Sequence, residues 1–528
     1  MRRIWVAVLG VAPWLAAGCG DDLPRLRGLS GEGGTGAPVS TGSAGSDPGT
    51  AGTGGDGAAG TGGDGAAGTG GGGAAGTGGG GAAGTGGGGT GGSSGTGGTM
   101  TSARGCSDLF DPSTLAAYGV DISADEWAKM DYEFRNRDAL EAAGVDYKTY
   151  HPIVLHYGSE TVSDAKIRLK GQSSWRHTVR DDGDKAKMQF VISFEEVNPS
   201  AKFHGVSKVV LDMPDNDETF LQERMGFNTL ADVLGLPAPC ANSGRISFNG
   251  QYYGVYVHEE NVGHGFLKRV FPEAPDGDLF EGGYTPKTNE LTPNWNRLDA
   301  FWAAKDVGAM AAVVDMDDSI AEWAGEALLN DGDGYYGGGH NFYIYDYAGK
   351  GYRWMIDDAD ATFAWVGRSD LSPIYWWAGR STMQSAGQHY LIVMGDPTWR
   401  GKYVAVLRQL LARWDVARLQ GWIDAWSAQI ADSVARDPHL LISVQEHNAA
   451  IAAMRQEVAD RPAYVAKFLA CQDGSGDAHD GDGDGFAWCN DCDDGNPAVS
   501  PGAVEICGNG IDDNCNRYAD AQDGCPAM

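Results

Sequence analysis

The chain has 528 residues, including 81 glycines and 9 cysteines, and its formal net charge is −32 at pH 7. This length predicts two or three domains. An acidic chain without a block of Lys or Arg argues against a nucleic-acid partner, because phosphate binding needs clustered cations. Collagen is excluded as well, because the glycine-rich stretch has no Gly-X-Y period. Divalent cations are the natural partners of so many carboxylates.

Residues 1–18 are predicted to be an export signal, because Arg2 and Arg3 precede an apolar stretch, Ile4–Ala17, that is too short to span a bilayer. The small residues before Cys19 resemble the lipobox of bacterial lipoproteins, which implies that Cys19 is lipidated. An ordinary secretory signal with a coincidental cysteine is the alternative. The common signal for retention in the inner membrane is an Asp directly after the lipidated cysteine, and this chain has Gly20 at that position. The resemblance therefore implies an outer-membrane or cell-surface protein that is held to the membrane by lipid alone.

Residues 19–104 are predicted to be a disordered tether. Of the 81 glycines, 36 lie in residues 28–100, and Ala51–Gly89 repeats with a period of eight. Such a chain has too little apolar surface to fold.

The remaining cysteines favour an oxidising compartment, because an even number of cysteines in an exported chain is typical of disulfides. Cys106 and Cys240 could form one bridge. The other six, from Cys471 to Cys525, allow 15 pairings, and the sequence leaves the pairing open.

Residues 105–470 are predicted to be a large α+β domain. Its first half is rich in strands and its second half in helices, which indicates two lobes with a cleft between them. Asn249-Gly250 predicts a two-residue hairpin. The predicted helices are Thr219–Leu234, Ser319–Leu329, Trp399–Arg413 and Asp415–Ala435. The predicted strands are Ala165–Lys170, Met188–Phe194, Lys208–Asp212, Gly244–Phe248, Tyr252–His258, Phe342–Tyr347 and Tyr352–Ile356.

The segment Arg168–Trp175 carries two cations on one face of a strand, followed by a glycine turn with two hydroxyls. Arg168, Lys170 and the turn could bind an anion such as phosphate. Lys187, at the start of the next strand, is a further candidate. A solvated hairpin is the alternative.

The segment from Leu329 to Phe363 is rich in carboxylates. Asp331 and Asp333 follow a predicted helix, Asn341 precedes a strand hairpin, and Asp358 and Asp360 follow its return strand. These oxygen ligands suit a hard divalent ion. Protein kinases arrange a catalytic Asp, an Asn and a metal-binding Asp in a similar way. A loop stabilised by calcium is the alternative.

Three motifs together resemble the CotH kinase family: RLKGQSSW; ERMGFNTLADVLGLP with NGQYYGVYVHEEN after it; and HNFYIYDYAGKGYRWMIDDADATF. The resemblance covers roughly residues 125–363. It implies a two-lobed, atypical protein-kinase-like fold that binds ATP with Mg²⁺ or Mn²⁺ and phosphorylates Ser or Thr of proteins.

The resemblance also implies residue roles. Asp358 and Asp360 match the family's metal-binding Trp-Asp-x-Asp, and Asn341 and Glu260 match its Asn and Glu. Arg168, Lys170 and Lys187 would join Glu260 in binding ATP.

Two positions depart from the family pattern. The family's catalytic Asp precedes the Asn by about five residues, where this chain has Tyr336, so Asp331 or Asp333 takes that role. Asp357 replaces the family's Trp. Some family members act as adhesins, so the alternative is an inactive surface adhesion or matrix protein of unknown ligand that uses the fold as a scaffold.

Residues 471–528 are predicted to be a small, loop-rich module stabilised by disulfides and calcium. They contain 13 acidic residues and one Arg. Asp480, Asp482, Asp484 and Asp491 fit an EF-hand-type loop, with the carbonyl of Phe486 as a further Ca²⁺ ligand. The segment from Asp491 to Cys515 resembles the metal-binding motif of bacterial surface proteins such as MopE, and it is also similar to thrombospondin type-3 repeats. A solvated acidic tail is the alternative.

Overall fold

The structure is a computed structural model that describes residues 104–171, 187–213, 217–363, 372–374 and 387–515. The predicted signal, the tether, Cys19, Gln172–Trp175 and Cys525 lie outside the described residues. In the part that is described, no helix is both long and apolar enough to cross a membrane.

Seven strands form a closed barrel in the order β1-β2-β3-β4-β5-β7-β6. The strands are β1 (Ala116–Asp121), β2 (His151–Tyr157), β3 (Glu160–Leu169), β4 (Phe190–Ser193), β5 (Lys208–Asp212), β6 (Ala241–Phe248) and β7 (Gln251–Glu259). Six pairings are antiparallel, and the parallel pairing of β1 with β6 closes the barrel. The barrel encloses its own apolar core, which includes Leu155, Ile167, Phe190, Leu211 and Ile246.

A second, four-stranded sheet follows in the order β11-β10-β8-β9. Its strands are β8 (Leu279–Glu281), β9 (Thr285–Pro286), β10 (Phe342–Tyr347) and β11 (Gly351–Ile356).

Twelve α-helices are present among the described residues. They are α1 (Ala124–Arg135), α2 (Arg137–Ala142), α3 (Gln222–Asn228), α4 (His264–Val270), α5 (Trp295–Ala303), α6 (Val307–Met310), α7 (Met316–Leu329), α8 (Tyr335–Gly338), α9 (Gln388–Gly395), α10 (Pro397–Leu411), α11 (Val416–Ala435) and α12 (Val444–Gln472). α3 continues into a π-helical segment, Thr229–Leu234.

The largest core joins α3, α7 and α9–α12 to one side of the second sheet. Trp323 and Trp354 are fully buried there, and their rings pack at 5.0 Å. Aromatic rings of this size supply much of the burial that holds helices against a sheet. This core places the end of α7 next to the β10–β11 hairpin.

The predicted α+β class is confirmed, since a strand-rich barrel precedes a helix-rich part. The hairpin at Asn249-Gly250 is confirmed too: Phe248 pairs with Gln251, and both turn residues have positive φ, as a type I′ turn requires. The disulfide Cys106–Cys240 is present, and in the tail Cys471 pairs with Cys489 and Cys492 with Cys515.

Candidate active site

One rim of the barrel carries a lysine surrounded by carboxylates. Leu169 pairs with Phe190, which pairs with Leu211, so Lys170 and Asp212 lie at the same level on either side of β4, after β3 and at the end of β5. The Lys170 ammonium forms ion pairs with Asp212 and, at 3.2 Å, with Glu259 at the end of β7. Burial alone would lower the pKa of Lys170, but Asp212 and Glu259 raise it well above its usual value.

The loop after α7 carries two of the predicted catalytic residues. The helix ends at Leu329, and the left-handed backbone of the next residue, Asn330 (φ 61°), turns the chain. Asp331 Oδ1 accepts the Asp333 backbone N–H at 3.2 Å, and Asp333 Oδ2 accepts a hydrogen bond from the Asn341 side chain at 3.1 Å. The short helix α8 lies between these aspartates and Asn341.

The turn after β11 carries the predicted metal-binding aspartates. Phe342 pairs with Ile356, so the hairpin register brings Asn341 next to this turn, and Asp357 donates its backbone N–H to the Asn341 carbonyl at 2.9 Å. Asp358 Oδ1 accepts the Asp360 backbone N–H, also at 2.9 Å.

These segments form one electrostatic cluster. Burial raises the pKa of Asp358; repulsion from Asp212 adds to this rise, and Lys170 opposes it. Burial and then repulsion from Asp358 and Asp333 raise the pKa of Asp360 well above its usual value. Burial is also the main reason why the pKa of Asp333 rises to about 6. Carboxylates that repel one another in this way, with an amide oxygen beside them, are a donor set that fits a hard divalent cation.

Asp331 and Asp333 differ in accessibility. Asp331 is 1 % exposed, and its Oδ2 has no hydrogen-bond partner. Asp333 is partly exposed. A substrate group could therefore reach Asp333 more easily than Asp331.

Two of the predicted ATP ligands lie elsewhere. Lys187 is fully buried, and its ammonium forms an ion pair with Asp437 at 2.7 Å and donates to the Val255 carbonyl. Glu260 pairs with Arg269 at 2.5 Å. Side chains alternate along a strand, so Glu259 is the residue that contacts Lys170, and Glu260 faces away from it. Lys187 and Glu260 are therefore paired with Asp437 and Arg269, away from Lys170.

Arg168 lies on the same face of the chain as Lys170, two residues earlier. Its guanidinium donates to the Leu169 carbonyl at 2.7 Å and lies over the Tyr150 ring at 5.5 Å. It is partly exposed, so its charge is accessible beside the barrel rim.

Asp212 and Glu223 lie together with Glu259 in the structure, although no sequence motif predicts them as site residues. Asp212 ends a predicted strand and Glu223 lies in a predicted helix, positions where a carboxylate is ordinary. Only the closed barrel and the packing of α3 against its rim bring them together.

The predicted calcium loop is a separate cluster in the tail. Oxygens of Asp480, Asp482 and Asp484 lie within 4.8 Å of one another. Asp480 accepts backbone N–H bonds from Gly483, Asp484 and Gly485, while the Phe486 N–H donates to Asp484. Asp491 is 8 % exposed, and its Oδ2 has no hydrogen-bond partner. Burial raises the pKa of Asp491 to about 6, and repulsion from Asp484 and Asp482 contributes.

Comparison with known proteins adds two family matches. Residues 167–465 match the family described as "CotH kinase protein", and residues 491–521 match the one described as "Putative metal-binding motif". Among solved structures, the chain is similar to the Helicobacter pylori proinflammatory kinase CtkA, with 11% sequence identity and a TM-score of 0.31, over 56% of this chain and 94% of that one. No curated protein matches the chain.

Proposed function

The chain belongs to the CotH kinase protein family, and we propose that it is an active kinase that transfers phosphate from ATP to Ser or Thr hydroxyls of proteins. One observation carries this proposal. Lys170, Asp333, Asn341 and Asp358, which come from four separate segments, lie in one electrostatic cluster.

In the proposed site, Asn341, Asp358 and Asp360 would hold Mg²⁺ or Mn²⁺. The ion would neutralise negative charge on the phosphates. Arg168 and Lys170, which lie on one face of the chain at the barrel rim, would bind the phosphate oxygens.

Asp333 is the proposed catalytic base. The substrate hydroxyl oxygen forms a bond to the terminal phosphorus as the bond to the leaving ADP oxygen breaks, and Asp333 accepts the hydroxyl proton. Asn341 holds the Asp333 carboxylate by its hydrogen bond. Asp331 is too buried for contact with substrate and supports the loop instead, since it accepts the Asp333 N–H.

Autophosphorylation with Mg-ATP tests the kinase proposal. We expect Asp333→Asn to lose at least 100-fold in rate, as is typical for removal of a general base, while it retains ATP binding. Asp358→Ala should lose both ATP binding and transfer. Asp317→Asn, which removes an exposed carboxylate on α7, is the control and should match the wild type. If the wild-type protein binds no ATP, the proposal is wrong and the scaffold alternative takes its place.

We also propose that the tail binds Ca²⁺ through Asp480, Asp482, Asp484, Asp491 and the Phe486 carbonyl. The unpartnered Oδ2 of the buried Asp491 supports this proposal, because a buried carboxylate oxygen without a partner is costly unless a cation binds it. Calorimetric titration with Ca²⁺ should show tight binding that Asp491→Asn weakens at least tenfold. Asp473→Asn, on the exposed ion pair with Arg408, should leave it unchanged. Equal affinity in the two variants would contradict the assignment.

Finally, we propose that the protein is exported and anchored at the outer membrane or cell surface through a lipid on Cys19. The disulfides Cys106–Cys240, Cys471–Cys489 and Cys492–Cys515, all among the described residues, support an oxidising compartment. Metabolic labelling with a radioactive fatty acid should mark the wild-type protein but not Cys19→Ser. Label in both proteins, or in neither, would refute lipidation at this residue.

A further inference from the structure

A lysine that precedes the barrel strand β2 lies beside the predicted phosphate ligands. The antiparallel pairing of β2 with β3 reaches the start of β2 and the end of β3. Just beyond this pairing, the Arg168 guanidinium lies over the Tyr150 ring at 5.5 Å, so the segment before Tyr150 runs along the rim that carries Arg168 and Lys170. Lys148 is in this segment.

The three cations of this rim differ in how their charges are balanced. Lys170 forms ion pairs with two carboxylates, Asp212 and Glu259. In the part of the chain that the structure describes, no carboxylate lies within ion-pair distance of Lys148 or Arg168. The uncompensated positive charge of the rim is therefore that of Lys148 and Arg168, in a protein whose net charge is −32.

The surroundings of Lys148 favour an anion. The residue is half-buried, and burial is the main reason why the pKa of Lys148 falls to about 8. Repulsion from Arg168 and Lys170 and, more weakly, from Arg137 of α2 adds to this fall, while Glu281 at the end of β8 opposes it. A bound anion would remove the repulsion among these cations and stabilise their charged forms.

Lys148 also lies close to the turn after β11. Glu281 raises the pKa of Lys148 and also that of Asp357 in this turn, so it acts on both groups. Lys170 in turn lowers the pKa of Asp358. The uncompensated cations are therefore near the proposed metal ligands, where the phosphates of a nucleotide would lie.

We propose that Lys148 is a further phosphate-binding residue of this cleft, and that Lys148 and Arg168 together hold the phosphate groups of the nucleotide. This inference rests on the proposed kinase function, which supplies the nucleotide. Lys148 precedes the residues that match the family, 167–465, so its role is not carried over from the family pattern. Ammonium and guanidinium groups form short, charge-assisted hydrogen bonds to phosphate oxygens.

Calorimetric titration of the full-length protein with Mg-ATP at pH 7.5 tests the role of Lys148. Lys148→Gln should bind ATP about tenfold more weakly, as expected for the loss of one hydrogen bond from a charged group. Lys166→Gln is the matched control, because Lys166 lies on the same face of β3, two residues before Arg168 and about 7 Å farther from the rim. The control should bind ATP like the wild type. Equal ATP affinity in Lys148→Gln and the wild type would overturn the proposal.

The same titration at pH 9 gives a readout that a merely structural role would not change. The wild type should bind ATP about five- to tenfold more weakly at pH 9 than at pH 7.5, because Lys148 loses its proton in this range. The terminal phosphate of ATP is ionised at both pH values. Lys148→Arg keeps its charge at pH 9 and should lose little affinity. Equal losses in the wild type and Lys148→Arg would contradict the assignment.

The failure of this inference can be told apart from the failure of the kinase proposal. Autophosphorylation by the wild type, together with unchanged ATP affinity in Lys148→Gln, would refute the role of Lys148 and leave the kinase standing. A wild-type protein that binds inorganic pyrophosphate through Lys148 but binds no ATP would give the reverse result. Binding of neither compound would refute both proposals.

Discussion

At the residue scale, the most consequential difference from the sequence prediction concerns Lys187. The sequence predicts Lys187, at the start of a strand, as a candidate phosphate ligand. In the structure, Asp437 follows α11 and reaches the barrel, where Gly254 leaves room for it: a Cβ at that glycine would lie 2.8 Å from Asp437 Oδ2. Asp437 Oδ2 accepts hydrogen bonds from both the Lys187 ammonium and the Val255 N–H. A pairing between residues 250 positions apart cannot be read from local sequence.

This pair gives a stability prediction. Asp437→Asn should lower the free energy of unfolding by about 3 kcal/mol or more, because it leaves the buried Lys187 charge without its counterion. Lys187→Met combined with Asp437→Leu should recover part of the loss, since neither charge then remains. Chemical denaturation measures all three proteins. A single variant as stable as the wild type would contradict this account.

His258 gives a prediction about pH. Its ring is fully buried, close to the Tyr118 hydroxyl and stacked on Phe110 at 4.5 Å, and burial lowers its pKa to about 3. Between pH 6.5 and 3 the unfolded chain binds a proton that the folded protein does not. His258 therefore supports folding fully above pH 6.5 and progressively less as the pH falls.

Denaturation at pH 6.5 and pH 4 checks this effect. Between these two values the wild type should lose up to about 3 kcal/mol more free energy of unfolding than His258→Leu. Every other titrating group is common to the two proteins, so the difference isolates His258. Identical pH slopes would show that the ring titrates normally in the folded state.

At the element scale, α3 sets the position of the turn that carries Asp358 and Asp360. A Cβ at Gly226 would lie 2.7 Å from the Ala359 Cβ, so the helix packs directly on the turn that carries Asp358 and Asp360. The sequence predicted this helix and the turn separately. It could not predict their contact, because a glycine inside a predicted helix does not by itself indicate that another segment packs closely against it.

Gly226→Ala tests the contact. The added methyl group should destabilise the protein by about 1–3 kcal/mol and reduce autophosphorylation, because the turn must move. Gly421→Ala is the control, since Gly421 lies in α11 with open space around it. It should stabilise the protein by about 0.5–1 kcal/mol through helix propensity. If the two substitutions had the same effect, the close contact at Gly226 would be unimportant.

The strands show where the periodicity of apolar residues predicts secondary structure correctly. β5 and β10 begin and end where the sequence predicted, and β3, β4, β6, β7 and β11 overlap their predictions. β1, β2, β8 and β9 were not predicted. β1 pairs with β6 from Ala116↔Gly244 onward, and this parallel closure joins residues that are far apart in the sequence. Alternation predicts that a segment is a strand, but the partner strand is decided by packing.

At the scale of the whole molecule, the tail and the large domain depend on different forces. The large domain encloses extensive apolar cores. Trp488 of the tail packs its ring near Tyr464 and Phe468 of α12. The described part of the tail carries the disulfides Cys471–Cys489 and Cys492–Cys515. A segment with so few apolar residues needs covalent bonds and ions to stay folded.

Combined chelation and reduction should therefore unfold the tail while the large domain stays folded. Limited proteolysis with mass spectrometry should show rapid cleavage after residue 473 and protection of the domain before it. Chelator alone or reductant alone is the control and should give slower cleavage. A tail that resists the combined treatment would show that ions and disulfides do not stabilise it.

The sequence by itself predicted seven of the strands, several of the helices and the acidic loop of the tail, because periodicity, turn residues and ligand spacing are local properties. It also indicated the family through motifs that stay in order. Only the tertiary structure decided which charges meet. It placed Glu259 instead of Glu260 on Lys170, buried Lys187 against Asp437, and gathered Asp212 and Glu223 at the rim. These outcomes depend on barrel closure and helix packing, which join residues that the sequence keeps tens to hundreds of positions apart.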